Sequence, residues 1–389
     1  LLSYAYRYSE DVKKRFDRAQ FNVEKFKTLS DIKHIPLLKK KELIFLQSIG
    51  PRLGGLLTKD IGELKRIFLS PGPIFDPEDR MDDYWGYTEA FYSVGFRPGD
   101  VVQVTFNYHL SPAGLMFEEP LRNLGCASIP AGPTDPGTQL DIMQKLRVSG
   151  YVGTASYLMH LAQKAEEKGI NLRKDLFQEV AFVTGERLSE KMRNQLEKKF
   201  DIILRQGYGT ADVGCIGYEC FHKTGLHISN RCYVEICHPD TGIPLKDGEV
   251  GEIVVTSFNK TYPLIRLATG DLSYIDRAPC ACGRTSPRLG SIVGRVDTTA
   301  RIKGMFVYPH QVEQVMARFE DIKRWQIEVI NPGGIDEMIL YVEASNFHQE
   351  DELLHLFRER IKLRPELKVL APGTLPPQIK PIEDKREWD

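Results

Sequence analysis

The alternation between residues 90 and 210 constrains this chain most, because short β-rich runs there are separated by stretches with helical spacing. VVQVTFN (101–107), GCASIPAG (125–132) and GYVGT (150–154) read as strands. SYLMHLAQKAEEKG (156–169) reads as a helix, since Leu158, Leu161 and Ala162 share one face and Gly169 stands near its end. AFVTGE (181–186) is a strand, SEKMRNQLEKKF (189–200) a helix with Ser189 as its N-cap, and DIILRQGYG (201–209) a strand. Strands separated by helices argue for an α/β sheet with parallel pairs. In such sheets, ligands bind at loops on the carboxyl ends of the strands.

The flanks have a different texture. Residues 1 to about 60 read as a charged helical packing layer with no visible chemistry. From about 215 to 295, CYVEICHPDTGIPLKDGEVGEIVVTSF places two strand-like runs among turn-rich segments, which reads as an antiparallel β subdomain. The end of the chain reads as a small α+β module. There HQVEQVMARF (310–319) puts Val312, Val315, Met316 and Phe319 on one helical face. WQIEVI (325–330) and MILYVEA (338–344) are strands, and DELLHLFRERIKLR (351–364) a last helix. A chain of 389 residues exceeds what one core supports, so more than one domain is expected. The expected division is a large N-terminal domain over 1–296 and a small α+β domain over 297–389.

A net charge of −1 gives no general attraction to nucleic acid or an anionic membrane. No apolar run approaches the roughly 20 residues that cross a bilayer. Leu1 to Glu10 shows no basic stretch followed by an apolar one, so no secretory signal is read there. Seven cysteines, an odd number, suggest reduced thiols and a cytoplasmic setting.

Three segments carry chemistry. GYGTADVG (207–214) follows a strand, and its glycines would let a backbone approach a planar or phosphorylated ligand. The Asp212 carboxylate there suits a divalent metal beside phosphate oxygens. A tight strand-to-helix turn with a capping aspartate accounts for the same residues. PLIRLATGDLS (263–273) places Arg266 four residues before Gly270, and Asp271 could accept from a ribose diol. An ordinary turn also fits. GRVDTTARIKGMFVYPHQVE (294–313) joins the β region to the last module, as a solvated linker or a hinge.

Together, the order and spacing of these segments resemble the adenylate-forming acyl-CoA synthetases, and within them the phenylacetate–CoA ligase family. TYPLIRLATGD with CACGRT (280–285) resembles the family's ribose-binding stretch, and VDTTARIKGMFVYPHQVEQV its inter-domain crossover. SYLMHLAQKAEEKG and TGERLSEKMR resemble its middle region. The resemblance implies ATP-dependent activation of an aryl or other carboxylic acid, then transfer to coenzyme A, with ATP/AMP and magnesium bound and a mobile C-terminal domain. It implies that Tyr208, Gly209 and Thr210 contact adenine and the α-phosphate. Gly185 and Glu186 would line the adenine side. Asp212 would stand where the family has a magnesium-holding glutamate, Asp271 would hold the ribose hydroxyls, and Arg295 would support the nucleotide. Asp297 would be the hinge. The segment from Tyr108 to Gly114 would help form the acyl pocket, and a homodimer is common among such relatives. A nucleotide-binding homologue with weak or no ligase activity, or an acceptor other than coenzyme A, stays open.

Two segments depart from the family. Its phosphate loop is rich in Ser, Thr and Gly with a lysine, whereas FLSPGPIFDPEDR (68–80) keeps only Ser70 and Gly72. Its prolines remove backbone donors, and Asp76, Glu78 and Asp79 would repel a triphosphate unless a metal or Arg80 screens them. The family's catalytic lysine follows a glycine, whereas here Lys380 is the best candidate in LPPQIKPIEDKREWD (375–389), without one. A solvated tail lysine is the plainer reading.

Six residues separate Cys220 from His227, and one separates Cys280 from Cys282. Three thiolates and an imidazole suit a structural zinc ion, with His222 as a competing ligand and metal-free thiols as the alternative.

Overall fold

The computed structural model describes residues 1–71, 73–296, 300–302, 305–332 and 337–386. The chain divides into two units, Leu1–Thr269 with Tyr274–Ser291, and Gly270–Ser273 with Ile292–Asp389. The first unit opens with helices α1 (Leu2–Tyr8) and α2 (Glu10–Arg18), a two-residue strand β1 (Leu38–Lys39) and helix α3 (Lys40–Ile49). Ser9 caps α2 by accepting from the Val12 N–H, and Glu10 and Asp11 meet the positive end of its dipole. Val12, Phe16, Ile35 and Leu43 belong to one buried cluster with Leu264, Ile265 and Leu267. An antiparallel ribbon follows, β2 (Arg66–Ser70) and β3 (Ile74–Glu78).

After α4 (Thr88–Val94) the expected alternation is present. Strands β4 (Val101–Val104), β5 (Ala127–Pro130), β6 (Gly150–Gly153), β7 (Val180–Val183) and β8 (Ile203–Thr210) are linked through α5 (Leu115–Asn123), α6 (Pro136–Lys145), α7 (Ala155–Glu167) and α8 (Glu190–Phe200). All their pairings are parallel. Thr154 accepts from the Tyr157 N–H and Ser189 from the Met192 N–H, so α7 and α8 each start at a side-chain cap. The sheet has a core on each face. Val180 and Phe182 of β7 join a cluster with Phe91, Phe96 and Phe117, whereas Ala181 and Val183 join Leu158, Leu161, Leu196 and Phe200.

The next strands are β9 (Gly214–Glu219), β10 (Leu226–Ile228), β11 (Cys232–Cys237), β12 (Gly251–Ser257), β13 (Leu267–Ser273), β14 (Ile275–Asp276) and β15 (Arg288–Leu289). They do not form one separate subdomain over 215–295. Four of them extend the α/β sheet, in the order β14–β15–β10–β9–β8–β7–β6–β4–β5, and the rest form a second sheet ordered β1–β13–β12–β11. The short link between β8 and β9 is the cause. A hairpin leaves no room for a crossover, so β9 returns antiparallel along β8 and the first sheet becomes mixed. The second sheet recruits β1 in parallel, Leu38 opposite Leu267.

A buried arginine ties the second sheet to the N-terminal layer. Arg266, in the left-handed region at φ 53° and 2% exposed, donates through Nε to Glu235 at 3.0 Å. Its Nη1 reaches the carbonyls of Ile35 at 2.6 Å and Lys33 at 3.2 Å, and its Nη2 that of Gly242 at 2.9 Å.

The second unit contains β16 (Gly294–Arg295), β17 (Ala300–Ile302), β18 (Met305–Val307), α9 (Pro309–Met316), β19 (Arg324–Ile330), β20 (Glu337–Glu343), α10 (Glu350–Ile361), β21 (Glu366–Leu370) and β22 (Ile382–Asp384). Its sheet runs β21–β20–β19–β22. Val312, Val315, Met316 and Phe319 bury with Ile327, Leu340, Val342, Leu353 and Phe357, as the helical spacing of 310–319 requires. Among the described residues, no helix is long and apolar enough to cross a membrane.

Candidate active site and metal centre

The carboxyl ends of β4, β7 and β8, with the loops that follow them, hold most of the expected residues of the first unit. Tyr208, Gly209 and Thr210 end β8, with a bulge between Tyr208 and Gly209. The segment turns into a hairpin to β9, not into a helix. The Tyr208 hydroxyl donates to Thr269 Oγ1 at 3.3 Å, and Thr269 donates to the Ile253 carbonyl at 2.9 Å. This chain of bonds fixes the Tyr208 ring. A side chain at position 209 would strike the Gly214 carbonyl and the Tyr87 hydroxyl, and Gly214 itself sits at φ 87°. Hairpin packing therefore demands these glycines.

Gly185 follows β7 at φ 84°, and a Cβ there would lie 3.5 Å from the Phe106 ring. Glu186 is occupied locally, accepting from the Ser156 N–H at 2.6 Å and its hydroxyl at 2.8 Å, which caps the first turn of α7. Tyr108 lies over Gly114, where a Cβ would approach its ring to 2.6 Å. The Phe106 and Phe117 rings are 5.2 Å apart. These contacts make an aromatic wall beside Gly185. The Tyr108 hydroxyl is buried, and burial together with the neighbouring Glu118 carboxylate pushes it well up from the ordinary phenol range.

Asp212 lies in the hairpin turn. Its side chain is 2% exposed, no hydrogen bond reaches either carboxylate oxygen, and Lys40 Nζ of α3 stands 3.2 Å from Oδ2. The N-terminal layer thus carries a residue of the site, although its sequence shows only a charged helix. Buried, unsatisfied carboxylate oxygens fit a hard divalent cation.

The loop expected to receive phosphates is the β2–β3 ribbon. Ser70 ends β2, buried, opposite Ile74, and Gly72 lies outside the described residues. Arg80 does not screen the acidic residues with its guanidinium, since its Nε donates to the Glu63 carbonyl at 3.2 Å. Glu78 pairs instead with Lys65 at 3.2 Å and Arg66 at 3.0 Å, and Asp79 with Lys59 at 3.0 Å. Asp76 is 1% exposed, and burial followed by the Asp212 charge pushes it up to about 7.

In the second unit, Asp271 stands opposite Arg295 across β13 and β16, and Arg295 Nη1 donates to Asp271 Oδ1 at 2.9 Å. Gly270 sits at φ 81°, where a Cβ would lie 3.0 Å from the Arg295 guanidinium. Lys380 has an exposed side chain just before β22, and its carbonyl accepts from Gln326 Nε2 at 3.2 Å. Asp297 lies outside the described residues.

Cys220 at the end of β9, His227 on β10, and Cys280 and Cys282 between β14 and β15 converge, with all four donor atoms within 4.8 Å of one another. Cys220 and Cys280 sulfurs are 3.7 Å apart, and Cys282 Sγ is 3.4 Å from His227 Nε2. A disulfide has an S–S bond of about 2.05 Å. A tetrahedron with zinc–sulfur bonds of about 2.3 Å has edges of about 3.8 Å, close to the observed spacing. His227 Nδ1 lies 3.3 Å from Ser286 Oγ, which orients the ring with Nε2 inward. Burial raises both thiols, Cys220 to about 11. At Cys280 the Cys282 N–H and the Thr224 hydroxyl overcome it and bring the thiol down to about 5. His222 is exposed, outside this set.

Comparison with known proteins agrees with this geometry. A profile of AMP-binding enzymes matches residues 85–260, and one of the AMP-binding enzyme C-terminal domain matches 304–386. The phenylacetate-coenzyme A ligase of Thermus thermophilus is 30% identical, covering 97% of this chain and 90% of its own. That of Escherichia coli is 26% identical over 96% and 89%. An open-conformation structure of 2-hydroxyisobutyryl-CoA ligase, in complex with an acyl-AMP and CoA, superposes with a TM-score of 0.87. It is 22% identical and covers 99% of this chain and 89% of its own.

Proposed function

Because the chain belongs to the phenylacetate–coenzyme A ligase family of AMP-binding enzymes, we propose that it joins a carboxylic acid to coenzyme A through an acyl-adenylate. The observation that carries this reading is the 30% identity spanning nearly the whole chain. The β8–β9 hairpin supports it by holding Tyr208 through Thr269.

A carboxylate is a poor electrophile and repels a triphosphate. Fixed donors neutralise the phosphates, so the acid oxygen attacks the α-phosphorus and pyrophosphate leaves. The coenzyme A thiol then attacks the acyl carbon and AMP leaves. Tyr208, Gly209 and Thr210 take adenine and the α-phosphate in this reading, and Gly185 and Glu186 the adenine side. Arg295 orients Asp271 toward the ribose hydroxyls. Tyr108 and Gly114 border an apolar acyl pocket, and Lys380 steadies the charge that develops during adenylation. Asp212 would hold magnesium, which when bound supplies charge neutralisation of the phosphates. The small domain over 297–389 would turn about Asp297 between the half-reactions.

We also propose that Cys220, His227, Cys280 and Cys282 bind a structural zinc ion, because four protein donors leave no open position for a substrate. Reduced thiols and such a site suit the cytoplasm, and a homodimer is proposed from the resemblance alone. The ribbon at 66–78, lacking a glycine-lysine cradle, favours a second reading in which nucleotide binds but ligation is weak. Pyrophosphate exchange over aryl and fatty acids tests the first half-reaction, and coenzyme A dependence the second. Exchange with none of the acids, beside AMP binding by thermal shift, would select the second reading.

A further inference from the structure

The stretch that carries Lys380 is poor in backbone donors. Pro376, Pro377 and Pro381 have no N–H, so residues 375–381 cannot join the sheet as a ladder strand, and their carbonyls need partners from elsewhere. The start of β19 supplies them. Arg324 Nη1 donates to the Leu375 carbonyl at 2.7 Å, and its Nη2 to the carbonyls of Pro376 and, at 3.3 Å, of Pro377. Two residues on, Gln326 Nε2 donates to the Lys380 carbonyl at 3.2 Å, and the Ile327 N–H donates to that of Pro381 at 2.8 Å. Glu343, opposite Arg324 in the β19–β20 ladder, accepts from the Leu375 N–H.

The segment is thus tied at both ends, at Leu375 by Arg324 and Glu343 and at Lys380 and Pro381 by Gln326 and Ile327, before β22 enters the sheet with Ile382 opposite Ile327. Between the ties each proline fixes φ at about −65°. Lys380 precedes Pro381, which holds its backbone extended. The Lys380 side chain is exposed, so the ties act on its backbone and leave the side chain in solvent. We infer that Arg324 is a positioning residue, whose planar fork, by holding three successive carbonyls, sets where the backbone presents the Lys380 ammonium. The role of Lys380 rests on the ligase reading, but the hold of Arg324 on 375–377 rests on the hydrogen bonds alone. A stabilising charge displaced by about 1 Å can cost about a hundredfold in rate, so a loosened backbone is enough to slow the chemistry.

Two measurements on the full chain test this. Deuterium uptake by peptides spanning 371–381 should rise in Arg324→Met, with uptake across α10 unchanged. In pyrophosphate exchange the same variant should lose at least about fivefold in kcat with KM for ATP within about twofold, because a residue that acts through Lys380 leaves ground-state nucleotide binding alone. In a Lys380→Ala background, Arg324→Met should have no further effect. Should Arg324→Met fail to fold, Arg324→Lys takes its place, keeping the charge but not the fork. Unchanged deuterium uptake in the tail overturns the inference. So does a wild-type kcat in the variant, or an undiminished loss in the absence of Lys380, which would mark a purely structural role. A wild type with no pyrophosphate exchange beside a loosened tail in the variant sinks the ligase reading alone, and pyrophosphate exchange beside an unloosened tail sinks the positioning role alone.

Discussion

Replacing Arg266 with Met should unfold the first unit far more readily than replacing any exposed arginine. The guanidinium is 2% exposed and is the ion-pair partner of Glu235, whose side chain is 4% exposed. It also serves three carbonyls, of Lys33, Ile35 and Gly242. Removing it strands a buried carboxylate, and breaking a buried pair from one side costs about 3–5 kcal/mol. The lost carbonyl bonds lie within that figure, because water enters around the shortened side chain. The assay is urea unfolding followed by tryptophan fluorescence, with the slope held as a check that the denatured state is unchanged. The pH dependence has a definite sign. Burial already raises the Glu235 carboxyl, against the pull of Arg266, and losing Arg266 raises it further. A raised carboxyl contributes stability at low pH that disappears as pH climbs through its folded value, so the deficit should be smaller at pH 5 than at pH 8. Adding Glu235→Leu should restore much of the loss, because an apolar pair replaces a half-pair. A loss under about 1 kcal/mol in Arg266→Met, or no recovery in the double variant, would refute the stranded-charge account.

In EDTA, Asp76→Asn should stabilise the protein at pH 8 by up to about 4 kcal/mol, since a carboxyl held near 7 against 3.8 unfolded loses its contribution between those values. Unfolding curves at pH 5 and 8 check it, and the gain should shrink at the lower pH. Removing metal with a chelator should release about one zinc per chain and lower the melting temperature, and Cys282→Ser should copy both effects, read by elemental analysis and thermal melts. Acidification should release the same ion as the thiolates protonate. Lys380→Ala should slow adenylation at least about tenfold in pyrophosphate exchange, and an unchanged rate removes Lys380 from the mechanism. Gly114→Ala should press on the Tyr108 ring and raise KM for the acid more than for ATP, measured by initial rates.

Local signals account for what is legible in the chain. The apolar spacing of Leu158, Leu161 and Ala162 and the cap at Ser189 are decided within a few residues, so α7 and α8 are readable without a fold. The Cys220–His227 and Cys280–Cys282 spacings likewise mark two pairs of candidate donors, although only the strand order β9–β10–β15 brings the pairs together. The alternation of strands with helices demands a parallel sheet for the same reason, that short connections cannot join parallel neighbours. Lys40 is different. Nothing near it in KKKELIFL distinguishes it from its neighbours, and it gains a role only because β1 pairs with β13 and the following helix starts beside Asp212. Arg266 sits within the stretch that resembles a ribose-binding segment yet is a structural hub, because its partners at Lys33, Ile35, Glu235 and Gly242 come from distant segments. The acidic ribbon reads as repulsive residue by residue, and folding neutralises Glu78 and Asp79 while burying Asp76. Periodicity and motifs report interactions between chain neighbours. Charge pairing in a dry interior depends on which remote segments meet, and that is a property of the assembled sheets.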